Sequence, residues 1–232
     1  MIRLLLTRYL QKSKDHNFSF DDQVTTKVLL TLFLKKLSEL IRFNLKSWSS
    51  LKCGGVAFIG RRVVFENFHL MVLGKNARVD NNCVIGALGK VGLKIGHNSS
   101  IGVFSRIIVS SGLQNLGEYI CIGNNVGVGG YANIGGSGGV SIGDDTIIGP
   151  YFSAHPENHI FDNLDVAIRL QGTKRAAITI EENCWIGAKV TVLAGVTIGK
   201  GSIIGAGAVV TKSIPEYSIA VGNPATILKT RC

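Results

Sequence analysis

The amino-acid sequence predicts an all-β solenoid, a chain of very short parallel strands wound into stacked coils. Three observations lead there. An aliphatic residue recurs at every sixth position over residues 184–210 (Ile186, Val192, Ile198, Ile204, Val210). A small or β-branched residue stands two places before each of them (Cys184, Val190, Val196, Ser202, Ala208). The 29 glycines fall in phase with this repeat, and prolines number only four. A helix repeats its apolar face every ~3.6 residues and a half-buried strand alternates every ~2, so neither alone explains a period of six. Each hexad is one short strand with two inward side chains followed by a turn, and stacked turns of one hand pair their strands in parallel about 4.8 Å apart.

The elements follow in chain order. Residues 1–55 form a basic, apolar leader outside the repeat, with nine Lys or Arg against four Asp or Glu in its first 50 positions; the whole chain has a formal charge of +10. Within the leader a helix is expected to start at Asp21 or Asp22, acting as cap, and to run through QVTTKVLLTLFLKKLSELIRFNLK. Two readings stand: a cap over the open edge of the first coil, or a helix lying on an anionic membrane surface with Lys27, Lys35, Lys36 and Arg42 at headgroup level. The opening MIRLLLTRYLQK has too short an apolar core for a secretory signal, and no run reaches the ~20 apolar residues of a membrane span.

The solenoid is expected over residues 56–214. Its inward positions begin with Leu73, Val79, Ile85 and Val91, continue with Ile95, Ile101, Ile107 and Leu113, and then with Leu116, Ile122, Val128, Ile134 and Val140. Ile142 and Ile148 follow after a slip, with Thr146 and Phe152 in the small slots. Ile178 and Ile180 lead into the final run, and residues 215–232 make a C-terminal tail. The five cysteines are odd in number and lack a CxxC pair, so neither a disulfide framework nor a zinc site is indicated. Cys83 and Cys184 sit in small inward slots as free thiols, which points to a reducing cytoplasm.

Chemistry is expected where the repeat breaks, in the excursion 155–177, because a rigid coil presents its loops as the functional part. The break holds His155 and His159 with Glu157, Asp162 and Asp165 nearby. A histidine near its ordinary pKa of ~6.5 suits general-base work at neutral pH, and spacing alone does not say which of the two acts. Three other readings are weaker. GVGGYA, at 127–132, fits a dinucleotide pattern but follows a hexad where a βαβ unit is required. His97, His155 and His159 could bind zinc only if an irregular loop brought them together. Nucleic acid is disfavoured because basic residues of the coil are scattered and aromatics are few.

The words YAN (131–133), IGP with a histidine nine residues on (148–159), NCWIGAKVTVLAGVTIGKGSIIGAGAVVTKSIP (183–215) and VGNPATIL (221–228) resemble the hexapeptide-repeat acyltransferases. The likeness is strongest to the branch of maltose and galactoside acetyltransferases and polysaccharide O-acetyltransferases. It implies a left-handed parallel β-helix of three hexads per coil. It also implies that His159, ninth after Pro150, is the catalytic base, with His155 a neighbour and Asn133 contacting the acceptor. On the donor side it implies Trp185 beside the thioester, Ala188 offering a backbone N–H, Ala206, Thr211 and Lys212 along the coenzyme A arm, and Lys229 near the nucleotide phosphates. Coenzyme A phosphates are one sufficient reason for the basic set Lys189, Lys200, Lys212, Lys229 and Arg231. The implied reaction is direct acetyl transfer from acetyl-CoA to a sugar hydroxyl of a cell-surface polysaccharide or its precursor, without a metal, in a homotrimer whose donor groove lies between subunits. A small acceptor (free sugar, serine, amino sugar or antibiotic) and a non-enzymatic scaffold stay open as alternatives. The expected location is the cytoplasm, or its membrane face if the leader binds lipid.

Overall fold

The computed structural model describes residues 7, 11, 19–21, 24–45, 52–110 and 112–231. Most of the first 18 positions, Asp22 and Cys232 therefore lie outside the described residues. From residue 52 onward the chain winds into a three-sided parallel β-helix. Two faces carry seven strands each and the other carries nine; parallel neighbours come from successive coils, and the ninth strand of that larger sheet folds back antiparallel on the eighth. Each face carries an inward ladder of apolar residues. On the first it runs Leu73, Ile95, Ile122, Ile142, Ile180, Ile198. On the second it runs Ile59, Val79, Ile101, Val128, Ile148, Ile186, Ile204, Ala220. On the third it runs Phe65, Ile85, Ile107, Ile134, Ala154, Val192, Val210. These ladders form a single continuous core, with Phe152, set in a small slot, among the largest fully buried side chains.

At two of the corners the chain turns through a left-handed backbone. At the corner between first and second faces Asn98 (φ 56) and Asn125 (φ 56) occupy that conformation, which asparagine adopts at low cost. Their amides also tie the rungs together: Asn76 Nδ2 donates to Asn98 Oδ1 at 3.1 Å, Asn98 Nδ2 to Asn125 Oδ1 at 3.1 Å, and Asn125 Nδ2 to Asp145 Oδ1 at 2.9 Å. At the corner between second and third faces the same slot holds Phe104, Tyr131 and Tyr151, whose rings stack at 5.1 and 4.9 Å between centroids.

Several positions differ from the hexad count. Val91 and Leu113 are 76% and 81% exposed, and the inward slots that follow are filled by Leu93 and Ile120 instead. Leu116 is half-buried in the connection before Tyr119–Ile122. Extra residues at these turns reset the phase, and counting by six cannot see which residue re-enters the core. The helix α1 spans Thr26–Leu45 and does not begin at Asp21. Asp21 instead closes a turn, its carbonyl accepting from Val24 N at 3.0 Å. Thr25 is the cap, its Oγ1 accepting from Val28 N at 3.4 Å. The break starts one residue later than 155, because Ser153–His155 is still a rung of the third face, and it ends at 177, where Ile178–Ile180 resumes the first. At the other end the tail is structured: Ser218–Val221 adds a parallel rung to the second face and Thr226–Thr230 folds back on it antiparallel.

Candidate active site

Among the described residues, the longest departure from the coil is an antiparallel hairpin. After His155 the chain turns outward at Pro156, and Glu157–His159 pairs with Thr173–Arg175, setting Glu157 opposite Arg175 and His159 opposite Thr173. Directly opposed and alternate residues share one side of such a ribbon, so these four side chains lie together. Arg175 fixes the base. Its Nε meets Glu157 Oε2 at 2.5 Å, Nη1 donates to Asn115 Oδ1 at 3.0 Å and to Leu116 O at 2.8 Å, and Nη2 donates to Asn115 O at 3.0 Å. Gln171 organises the tip: Nε2 donates to the carbonyls of Asn163 and Val166, both at 2.7 Å, and Oε1 accepts from Asn163 N at 3.0 Å. Periodicity gave no signal for Arg175, Gln171 or Asn115, since they act in pairings that do not repeat.

The two histidines differ in their surroundings. His155 is exposed on the third face, and its Nε2 is hydrogen-bonded to Ser153 Oγ at 2.6 Å. His159 is exposed on the hairpin, and no described residue bonds its ring. Glu157, an acidic neighbour that could have oriented it, is held by Arg175. His97 sits at another corner, its Nδ1 accepting from Lys75 N at 2.8 Å, and no group of three metal-ligating side chains forms among the described residues.

The remaining residues fall into two sets on different sides of the prism. Asn133 points outward on the third face one rung from Ser153, which brings it near His155, and Thr211 and Lys212 follow the last strand of that face, at the edge from which the hairpin leaves. Trp185, 57% exposed, points outward on the second face in line with Ile147 and Ile203, and Lys229 pairs with Ile219 on that same face. Ala188 and Ala206 stack at the corner beyond Trp185, joined through Gly207 N, which donates to Ala188 O at 2.8 Å. The backbone N–H of Ala188 donates to no described residue, whereas Gly187 N is committed to Ile204 O at 2.8 Å. One rung earlier the matching slot is Pro150, a residue with no N–H to satisfy. Of the basic residues, Lys200 is engaged by Glu182 at 2.5 Å, a hydrogen bond that raises its pKa, and Arg231 donates to Gly201 O. Lys189, Lys212 and Lys229 remain exposed.

The bacterial transferase hexapeptide repeat (six repeats) matches residues 177–212. The chain is 34% identical over 139 residues to a protein of Mycobacterium tuberculosis named as a probable acetyltransferase, covering 60% of this chain and 44% of that one. It is 48% identical over 82 residues to a Staphylococcus aureus protein that is likewise an acetyltransferase by name, covering 35% and 38%. The chain thus spans less than half the length of these curated relatives. Among solved structures it is similar to AntD, an N-acyltransferase from Bacillus cereus in complex with dTDP and 3-hydroxybutyryl-CoA, with a TM-score of 0.56 at 19% identity over 82% of this chain and 88% of that one. A variant of AntD was solved with dTDP-4-amino-4,6-dideoxyglucose and coenzyme A. Identity this low speaks for the fold alone. Residues 177–212 thus match the hexapeptide repeat, and the whole three-sided coil shares the parallel β-helix fold of these acyltransferase structures.

Proposed function

We propose that the protein is an acyl-CoA-dependent acyltransferase that moves an acetyl group from acetyl-CoA to a sugar hydroxyl, the acceptor being a cell-surface polysaccharide or its precursor. The observation that carries this reading is His159, an exposed imidazole with no described partner on a hairpin anchored by Arg175. His159 accepts the proton of the acceptor hydroxyl as that oxygen bonds to the thioester carbonyl carbon, and returns it to the sulfur as the C–S bond breaks. The unengaged N–H of Ala188 is a donor for the oxyanion in between. Asn133 orients the acceptor. Trp185, Ala206, Thr211, Lys212 and Lys229 line the donor.

Trp185 and Lys229 face outward on one side of the prism, with Asn133, Thr211 and Lys212 on another, which supports a site shared between subunits. A trimer in which the second face of one copy meets the hairpin of the next supplies both halves. A nitrogen acceptor on an amino sugar is the second reading, since a variant of AntD, an N-acyltransferase of like fold, was solved with dTDP-4-amino-4,6-dideoxyglucose.

The test is acetyl transfer from acetyl-CoA to defined oligosaccharides and amino sugars, with the product mass and linkage determined. His159→Ala is expected to lower kcat by about 10²- to 10⁴-fold with coenzyme A affinity retained, and His155→Ala to cost far less. Light scattering should give a trimer, and acetyl-CoA should raise its melting temperature. Normal turnover by a monomer, or a dead His155→Ala beside an active His159→Ala, overturns the assignment.

A further inference from the structure

The helix α1 has two apolar sides, and the solenoid covers only one. Leu29 is buried, Phe43 packs against the core, Arg42 Nε donates to Ile59 O at 2.9 Å, and Lys36 Nζ lies 4.5 Å from the centre of the Phe58 ring. That side caps the first coil. Leu30, Phe33, Leu34, Leu37 and Ile41 follow the i, i+3, i+4, i+7, i+11 spacing of one helical stripe, and each is 40–54% exposed. A soluble helix docked through one face normally shows polar residues on the other, so five large apolar side chains in line mark an interaction surface.

We infer that this stripe lies on an anionic phospholipid surface, with α1 parallel to the bilayer and the solenoid held above it. Charge selects this occupant. The exposed side of the helix beside the stripe carries Lys27 and Lys35, with Thr31 and Ser38 between them, and no acidic side chain. The one acidic residue of α1, Glu39, is buried and paired with Lys36 at 3.3 Å. The turn after Phe58–Ile59, the strand α1 covers, adds exposed Arg61 and Arg62. An apolar stripe bordered by lysines is the pattern of a helix that inserts its apolar face at the headgroup boundary while its cations meet lipid phosphates. No described helix is long and apolar enough to cross a membrane, so α1 lies on the surface. Membrane attachment and capping thus use opposite sides of one helix and are compatible.

The full chain is tested by co-sedimentation with vesicles of phosphatidylcholine alone and of phosphatidylcholine with phosphatidylglycerol. Binding is expected to the anionic vesicles and to weaken with salt. The pair Leu34→Glu and Leu37→Glu, both on the exposed stripe, should abolish binding while the melting temperature is kept. The pair Lys27→Ala and Lys35→Ala should lower the partition coefficient about thirtyfold at low salt, from the ~1 kcal/mol per basic residue near such a surface. Unchanged binding by the glutamate pair would show that another part of the chain, the basic residues 1–20 included, holds the membrane, and would overturn the inference. So would equal binding to neutral vesicles, or absence of binding. If binding is absent and the glutamate pair changes the assembly size in light scattering, the stripe belongs to a second copy of the chain.

Discussion

Replacing Arg175 with methionine removes four polar contacts from the base of the hairpin while keeping most of the side-chain volume. A hydrogen bond to a charged group contributes ~1.5–3 kcal/mol when buried, and an exposed ion pair ~0.2–1. The Arg175 and Glu157 side chains are 21% and 28% exposed, so each contact falls between these limits. The freed carbonyls of Asn115 and Leu116 can also regain water. A net loss of about 2–3 kcal/mol in the local stability of the hairpin is a reasonable sum, equal to an opened population about 30 to 150 times larger. Native-state hydrogen exchange reads this directly. The amides of Ile160, bonded to Gly172 O, and Ala176, bonded to Pro156 O, should exchange faster by that factor. Amides of the coil, such as Ile178 on Gly139 O, should not change. Transfer should fall in kcat with little change in KM for acetyl-CoA, and Arg175→Lys should recover only part of the loss because it retains a single point charge. Exchange at Ile160 and Ala176 rising less than about threefold, or rising equally throughout the coil, would refute the assignment of Arg175 as the anchor.

Phe152→Ala empties a fully buried slot and is expected to cost about 3–5 kcal/mol, seen as a lower denaturant midpoint. At Gly149 an added Cβ would lie 2.6 Å from Ala188 N and 2.8 Å from Ala188 Cα, so Gly149→Ala must push that backbone away. It should cost ~1–3 kcal/mol of stability and reduce transfer more than it reduces coenzyme A affinity. Burial pushes the thiols of Cys83 and Cys184 above their ordinary 9.0, so in the native protein a thiol reagent should modify Cys53 and Cys121 first, by peptide mass mapping. The same shifts mean that the folded state binds more protons than the unfolded one once the pH passes 9.0. Stability measured by denaturant should therefore fall as pH rises beyond that value, and a Cys83→Ala, Cys184→Ala double variant should fall less.

The inward ladder was readable because its physics repeats: Ile186, Val192, Ile198, Ile204 and Val210 are all 0–1% exposed. Where the chain lengthens at a corner the same logic fails, as at Val91 and Leu113, because hydrophobicity does not tell which of two nearby aliphatics resumes the strand. The cap of α1 went to Thr25 because what fixes a helix start is a side-chain oxygen within reach of a free N–H, and Asp21 is spent on an earlier turn. Among the candidate residues, His159 is favoured over His155 only by its spacing from Pro150, as the resemblance implies. Residue pattern alone left it equal to His155. The strand that carries His159, and the Arg175 contacts that hold it, depend on pairings between residues far apart in sequence that occur once in the chain, and no periodic reading detects a single event.

The hairpin leaves the stack without disturbing it. Val140 and Ile142 pair directly with Ile178 and Ile180, the rung that resumes after it, and the two ends of the excursion meet where Ala176 N donates to Pro156 O at 3.1 Å. To the coils on either side, those intervening residues are no more than a closed corner. Selection can therefore lengthen, shorten or replace the tip beyond the His159–Thr173 pair as a cassette, while Arg175 keeps the base of the hairpin and the core keeps its alignment. On the proposed function, acceptor choice and thermal stability would be inherited almost separately, and an engineer could graft a foreign loop between His159 and Thr173 without refolding the scaffold or removing the base.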